Sequence, residues 1–157
     1  MTINETELAE VRVAWGEGII AISNAYEAGG IEQARAVASS ILDDLYGFEF
    51  GPILFKPTLS GGAQTFRPTK EGALSYFVGH DANYPADGGF GIKHWRKVTS
   101  ETSASFMQGD VAMWMGWVTL TDKDGNEVTV DKSFGYKKDA GGNLKIVLHH
   151  SSLPYQP

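Results

Sequence analysis

Apolar residues recur at three- and four-residue steps along the first part of the chain and at every other residue along the last part. Leu8, Val11, Trp15, Ile19, Ile22 and Tyr26 make the first stripe, which is one face of a helix. Thr6 or Asn4 is placed to cap its start, and Gly29-Gly30 ends it. Gly16 and Gly18 weaken this helix locally; glycines there mark either close approach of a neighbouring backbone or tolerated weakness. Ile31, Ala34, Ala38, Ile41 and Leu45 make a second stripe that stops at Gly47. So short a connection predicts an antiparallel helical hairpin.

The pattern then changes. Ile53-Leu54-Phe55 reads as a short strand, Gly61-Gly62 as a turn, and Gln64-Thr65-Phe66 as a candidate return strand. Phe55-Lys56-Pro57-Thr58 is echoed by Phe66-Arg67-Pro68-Thr69, too briefly to be a repeat. Lys70 to Val78 predicts a third helix, with Ala73, Leu74 and Phe77 inward and Gly79 as its stop. His80 to Gly89 is a loop of the kind that forms a rim or lid. Strands follow: Phe90 to Val98, and Ser105 to Leu120 with a break near Gly109. After the tight-turn pair Asp124-Gly125, Val128, Val130, Phe134 and Tyr136 alternate with Thr129, Asp131 and Ser133, broken only by Lys132. Ala140 to Asn143 turns the chain into a last strand. In Val111 to Val118 both faces are apolar, whereas an antiparallel sheet in a monomer normally leaves one face wet. One face is expected against the helices and the other against a second subunit. The order of elements predicts an α+β fold, a curved antiparallel sheet wrapped around the helical hairpin and open as a cone at one end.

The last strand carries the most pointed signal. Lys145-Ile146-Val147-Leu148 runs apolar into His149-His150-Ser151-Ser152. Strand side chains alternate, so Val147, His149 and Ser151 are expected on one face and Ile146, Leu148, His150 and Ser152 on the other. An imidazole and a hydroxyl two residues apart at the rim of an apolar wall are the make-up of a small-molecule pocket.

Composition narrows the chemistry. The 157 residues are expected to form one domain, 1–157. A net charge of −6 argues against nucleic acid or an anionic membrane surface as partner. The absence of cysteine removes disulfides and thiolate chemistry and fits a reducing compartment. The N-terminal stretch is acidic, unlike a signal peptide, and no apolar run approaches the roughly 18 to 20 residues of a membrane span. A soluble cytoplasmic protein is expected.

Among candidate metal ligands, His80, Asp81, Asp87, His94, His149 and His150, no pair has useful helical spacing, and His149 and His150 diverge on a strand; no metal is expected. There is no Gly-x-Ser-x-Gly elbow, and Gly88-Gly89-Phe90-Gly91 lacks the context of a phosphate loop. Asp43, Asp44 or Asp87 would have to serve an isomerase or dehydratase. What remains is a neutral cluster of Thr58, Tyr76, His149 and Ser151, in which only histidine is suited to moving protons at neutral pH.

Phe55-Lys56-Pro57-Thr58-Leu59, Gly72 to Gly79, Asp87-Gly88-Gly89-Phe90, Ser133-Phe134-Gly135-Tyr136 and His149-His150-Ser151-Ser152-Leu153-Pro154 resemble the iota-class carbonic anhydrases of cyanobacteria and algae. The resemblance runs from the first helix to the C-terminus. It implies the cone-shaped SnoaL-like (NTF2-like) fold, a homodimer, and reversible hydration of carbon dioxide to bicarbonate without a cofactor. It also implies that Tyr76, His149, Ser151 and a threonine hold bicarbonate. The threonine is Thr58, in the better matched motif, with Thr69 as the alternative. Phe55, Phe77 and Phe134 are the expected apolar lining for carbon dioxide. The lack of an organelle-targeting extension suits a bacterial cytoplasm. The rival expectations are another enzyme on the same cone and a non-catalytic association or small-molecule-binding module.

Overall fold

The structure, a computed structural model, describes residues 2–157. Helix α1, Glu5–Leu45, is two helical segments joined at Gly30, whose φ of 77° and ψ of −164° belong to a region open almost only to glycine. Asn4, not Thr6, caps it: its side chain accepts from the Glu7 amide while the Glu7 carboxylate accepts from the Asn4 amide. The segments fold back on one another as the expected hairpin. Trp15 Nε1 donates to Tyr46 Oη at 3.0 Å. A Cβ at Gly18 would lie 3.1 Å from Ile41 Cγ2, and one at Gly16 2.9 Å from Val98 Cβ. What crowds both glycines is a packed side chain, Val98 or Ile41, rather than a neighbouring backbone.

Strand β1 is Leu54–Lys56, helix α2 Lys70–Val78, and strands β2 to β5 are Trp95–Gln108, Val111–Asp122, Glu127–Lys138 and Leu144–Ser152. The sheet order is β1-β5-β4-β3-β2, antiparallel except for the parallel β1–β5 pair. The core lies between the sheet's inner face, with Phe55, Trp114, Val130, Phe134 and Ile146, and the helices, with Leu8, Trp15, Ile19, Leu42 and Phe77. This is the expected α+β arrangement, helices packed on a mostly antiparallel sheet.

Four local expectations are corrected. Gln64-Thr65-Phe66 is not a strand: a 3-10 turn covers Gly62–Gln64, and only isolated bonds, such as Arg67 N–H to Phe55 O, tie the segment to β1. Phe90–Ile92 is likewise a 3-10 turn, so β2 starts at Trp95. From there β2 continues through the polar stretch Thr99 to Ala104, with a register shift between Thr102 and Ala104, and the expected break at Gly109 is the hairpin turn between β2 and β3. In β5, a register shift opposite Gly135/Tyr136 pairs Tyr136 with Ile146 and Gly135 with Leu148. This β-bulge leaves Val147 without a partner and brings Ile146, not Val147, to the face that carries His149 and Ser151.

Candidate active site

The sheet's pairing builds the site row by row. Phe55, His149 and Phe134 are direct neighbours across β1, β5 and β4. The imidazole is held between two phenyl rings, with centroids 4.5 Å away for Phe55 and 4.7 Å for Phe134. Phe77, from α2, stacks behind Phe55 at 5.9 Å and so stands one layer further from the imidazole. In the next row Ser151 faces Lys132.

Beyond β1 the chain turns at Pro57, and Thr58 Oγ1 meets Ser151 Oγ at 2.6 Å. The alternative, Thr69, is excluded from this cluster by its job as N-cap of α2, where its hydroxyl accepts from the Gly72 amide. Tyr76 projects from α2 with its edge to Phe55 and its hydroxyl accepting the Leu59 amide at 3.2 Å. Burial pushes the Tyr76 phenol up to about 12, although Leu59 and Thr58 favour its ionised form. The structure therefore brings Thr58, Tyr76, His149 and Ser151 around the Phe55 end of the cone. His150 points to the opposite, exposed face.

Two further residues belong to this cluster. Tyr46, directly after α1, bonds His149 Nδ1 at 2.8 Å. Lys132 Nζ lies 3.0 Å from His149 Nε2 and 3.1 Å from Ser151 Oγ. Lys132 is 4% exposed, an unusual place for an ammonium without a carboxylate partner. Burial lowers it to about 7; Asp131 opposes that shift and Lys56 adds to it. Burial also holds His149 well below its ordinary value, with further lowering from Lys132 and His150. Both effects favour the neutral imidazole.

Lys132 was visible as an interruption in the alternation of Val128, Val130, Phe134 and Tyr136. It stands in phase with them, so a charged residue at a core position was the signal. Tyr46 carried no such signal, because only the hairpin brings it to His149, 103 residues away.

The other candidates do not converge here. Among the described residues no three His, Asp or Glu side chains gather as metal ligands, and both ring nitrogens of His149 are already engaged. Asp87 is held by the two terminal guanidinium nitrogens of Arg67, each at 2.7 Å, and by the Ser75 hydroxyl at 2.6 Å. Burial alone would raise this carboxyl, but those partners hold it below its usual value. It is a clamp for the His80–Gly89 loop, not a free base for an isomerase.

A family model described as metal-independent carbonic anhydrase matches residues 6–153. The chain belongs to the metal-independent carbonic anhydrase family. A relative of that description from Nostoc sp. (strain PCC 7120 / SAG 25.82 / UTEX 2576) is 49% identical over 154 residues, covering 98% of this chain and 75% of the relative. The crystal structure of a cyanobacterial iota-carbonic anhydrase complexed with bicarbonate, also 49% identical, superposes with a TM-score of 0.98 over 99% of this chain and 95% of that one. A calcium/calmodulin-dependent protein kinase II association domain from Xanthomonas campestris shares the fold alone, at 24% identity and a TM-score of 0.56 over 94% of this chain and 88% of that one.

Proposed function

We propose that this chain catalyses the reversible hydration of carbon dioxide to bicarbonate, in a site made by Thr58, Tyr76, His149 and Ser151 and without a metal. The observation that carries the reading is the pair of hydroxyls, half-buried Thr58 and buried Ser151, set 2.6 Å apart beside the Phe55–His149–Phe134 stack in a member of this family. The bicarbonate bound by the 49% identical relative supports the same ligand here.

Carbon dioxide is apolar and suits a wall to which Phe55, Phe77 and Phe134 contribute around the hydroxyls. The attacking water and the product are polar, and negative charge grows on oxygen as the C–O bond forms. Fixed donors at the Thr58, Ser151 and Tyr76 hydroxyls stabilise that charge more than they stabilise the neutral substrate, which is what lowers a barrier. His149 holds Lys132 and Tyr46 in place around them. Stopped-flow carbon dioxide hydration on chelator-treated protein tests the reading. Full activity with no stoichiometric metal is expected, and activity lost in chelator and regained with one metal would overturn the metal-free part.

The chain is also read as a homodimer joined through the sheet. On the outer face, Phe106, Met113, Met115 and Trp117 are 54%, 46%, 53% and 44% exposed. An apolar face of that extent is the kind buried in an isologous contact. No helix among the described residues is long and apolar enough to cross a membrane. With no cysteine to oxidise, we place the protein in the cytoplasm.

A further inference from the structure

Hydration of carbon dioxide releases a proton, and neither the phenols, the imidazole nor Asp87 is suited to hold it. His149 is buried and held neutral, the phenols of Tyr46 and Tyr76 are raised by burial, and Asp87 is clamped. Hydrogen-bond accounting in the core points to the group that can.

The indole N–H of Trp15 can only donate, so Tyr46 Oη accepts from it. The single hydrogen of that buried phenol then has one acceptor among the described residues, His149 Nδ1 at 2.8 Å. With Nδ1 accepting, the neutral imidazole carries its hydrogen on Nε2. That hydrogen points at Lys132 Nζ, 3.0 Å away. Two donors cannot bond to each other, so Nζ must present a lone pair, which only a neutral amine has. The same amine has hydrogens left for Ser151 Oγ at 3.1 Å, and Ser151 reaches Thr58 at 2.6 Å. Every polar atom in the row is then satisfied in one direction, from Trp15 through Tyr46, His149 and Lys132 to the two hydroxyls.

We propose that Lys132 rests as a neutral amine and takes up the proton released by hydration, receiving it through the hydroxyls of Ser151 and Thr58. As the water oxygen bonds to carbon, one water O–H bond breaks. Once both hydroxyls have reversed their donation and rotation about Cε–Nζ has turned the lone pair toward Ser151, the water's proton passes to Thr58 Oγ1, the Thr58 proton to Ser151 Oγ, and the Ser151 proton to Nζ. The products are bicarbonate and an ammonium, opposite charges formed side by side from neutral reactants. The Trp15 ring face, its centroid 4.7 Å from Nζ, receives the new charge, with Phe134 at 5.9 Å. After bicarbonate leaves, the proton returns along the same hydroxyls to solvent.

The charged and titratable groups around the amine fit this role. Asp131 on its own strand favours the ammonium, while Lys56, whose Nζ donates to Ser151 O at 2.8 Å, disfavours it. His149 and Tyr46 face it from β5 and from the end of α1, Tyr76 lies beyond Thr58, and α1 itself presents Trp15. Burial places the amine's titration near 7, where a base at neutral pH is most useful.

This inference rests on the hydration reading, so the test has one arm that needs no activity. In protein labelled with nitrogen-15 at histidine, His149 should show the Nε2–H tautomer at pH 8. An Nδ1–H tautomer there would mean a resting ammonium and would overturn the proposal, whether or not the protein hydrates carbon dioxide. In the activity arm, wild-type hydration should rise with pH through a midpoint near 7. Lys132→Met should lower the rate by roughly 100-fold or more and lose that midpoint. Lys132→Arg, which keeps the bulk and a permanent charge, should not restore it. A folded Lys132→Met protein with the wild-type pH profile would overturn the proposal while leaving the hydration reading intact.

Discussion

Replacing Lys132 by methionine should change how stability depends on pH, by an amount the structure sets. The ordinary lysine value, 10.5, holds in the unfolded chain, and burial brings the native value to about 7. Between those values the unfolded chain holds more protons than the native one, so stability rises with pH across that window. Below about 7 both states are protonated and the contribution is flat; there the native protein bears the full cost of a buried ammonium. From pH 7.5 to 9.5 the wild type should gain roughly 2.5 kcal/mol relative to Lys132→Met, at 1.36 kcal/mol per pH unit once the amine is mostly neutral. Other titrating groups are common to both proteins and cancel in the difference. Urea unfolding of the two proteins at half-unit steps of pH measures it, with equal m-values as the check on the unfolded state. Curves that stay parallel within about 0.5 kcal/mol, or a wild type that loses stability relative to Lys132→Met as pH rises, would refute a depressed lysine.

Three other outcomes are expected. Tyr76→Phe and Thr58→Val should each cut hydration about 100- to 1,000-fold, while His150→Ala, on the exposed face, should leave it nearly unchanged in the same stopped-flow assay; loss of activity with His150→Ala alone would put the site on the wrong side of β5. Asp87→Ala leaves Arg67 buried and unpaired and should cost about 3 to 5 kcal/mol in thermal or urea unfolding. The wild type should sediment as a dimer at micromolar concentration and Met115→Glu as a monomer; a monomeric wild type would remove the interface from the outer face of the sheet.

The elements that the chain announces are those with one wet face and one dry face. Both segments of α1 show their period because each presents a single stripe to the core. Strand β2 does not: it is an edge strand exposed along most of its length, so Thr99 to Ala104 had no reason to alternate, and its strand character comes from pairing with β3. The bulge at Val147 was hidden for a different reason, since one extra residue reverses facing without altering composition. Within the site, the spacing of His149 and Ser151 was enough to put both on one face, and the structure keeps them together. Lys132 was equally legible, but a charge in phase with a buried face reads as a flaw in the pattern until the pairing shows it opposite Ser151. Tyr46 depends wholly on tertiary contact.

The parallel pairing of β1 with β5 has a kinetic consequence. Thr58 and Ser151 are 93 residues apart, and nothing between them can bring them together until β2, β3 and β4 have formed and β5 has slotted between β4 and β1. Contacts of such long sequence separation are slow to form, because the loop entropy is lost before the contact compensates for it. The hairpins of β2–β3 and β3–β4 are local and should appear first. In refolding, hydration activity should therefore return only with the slowest phase, after most of the circular-dichroism signal has recovered.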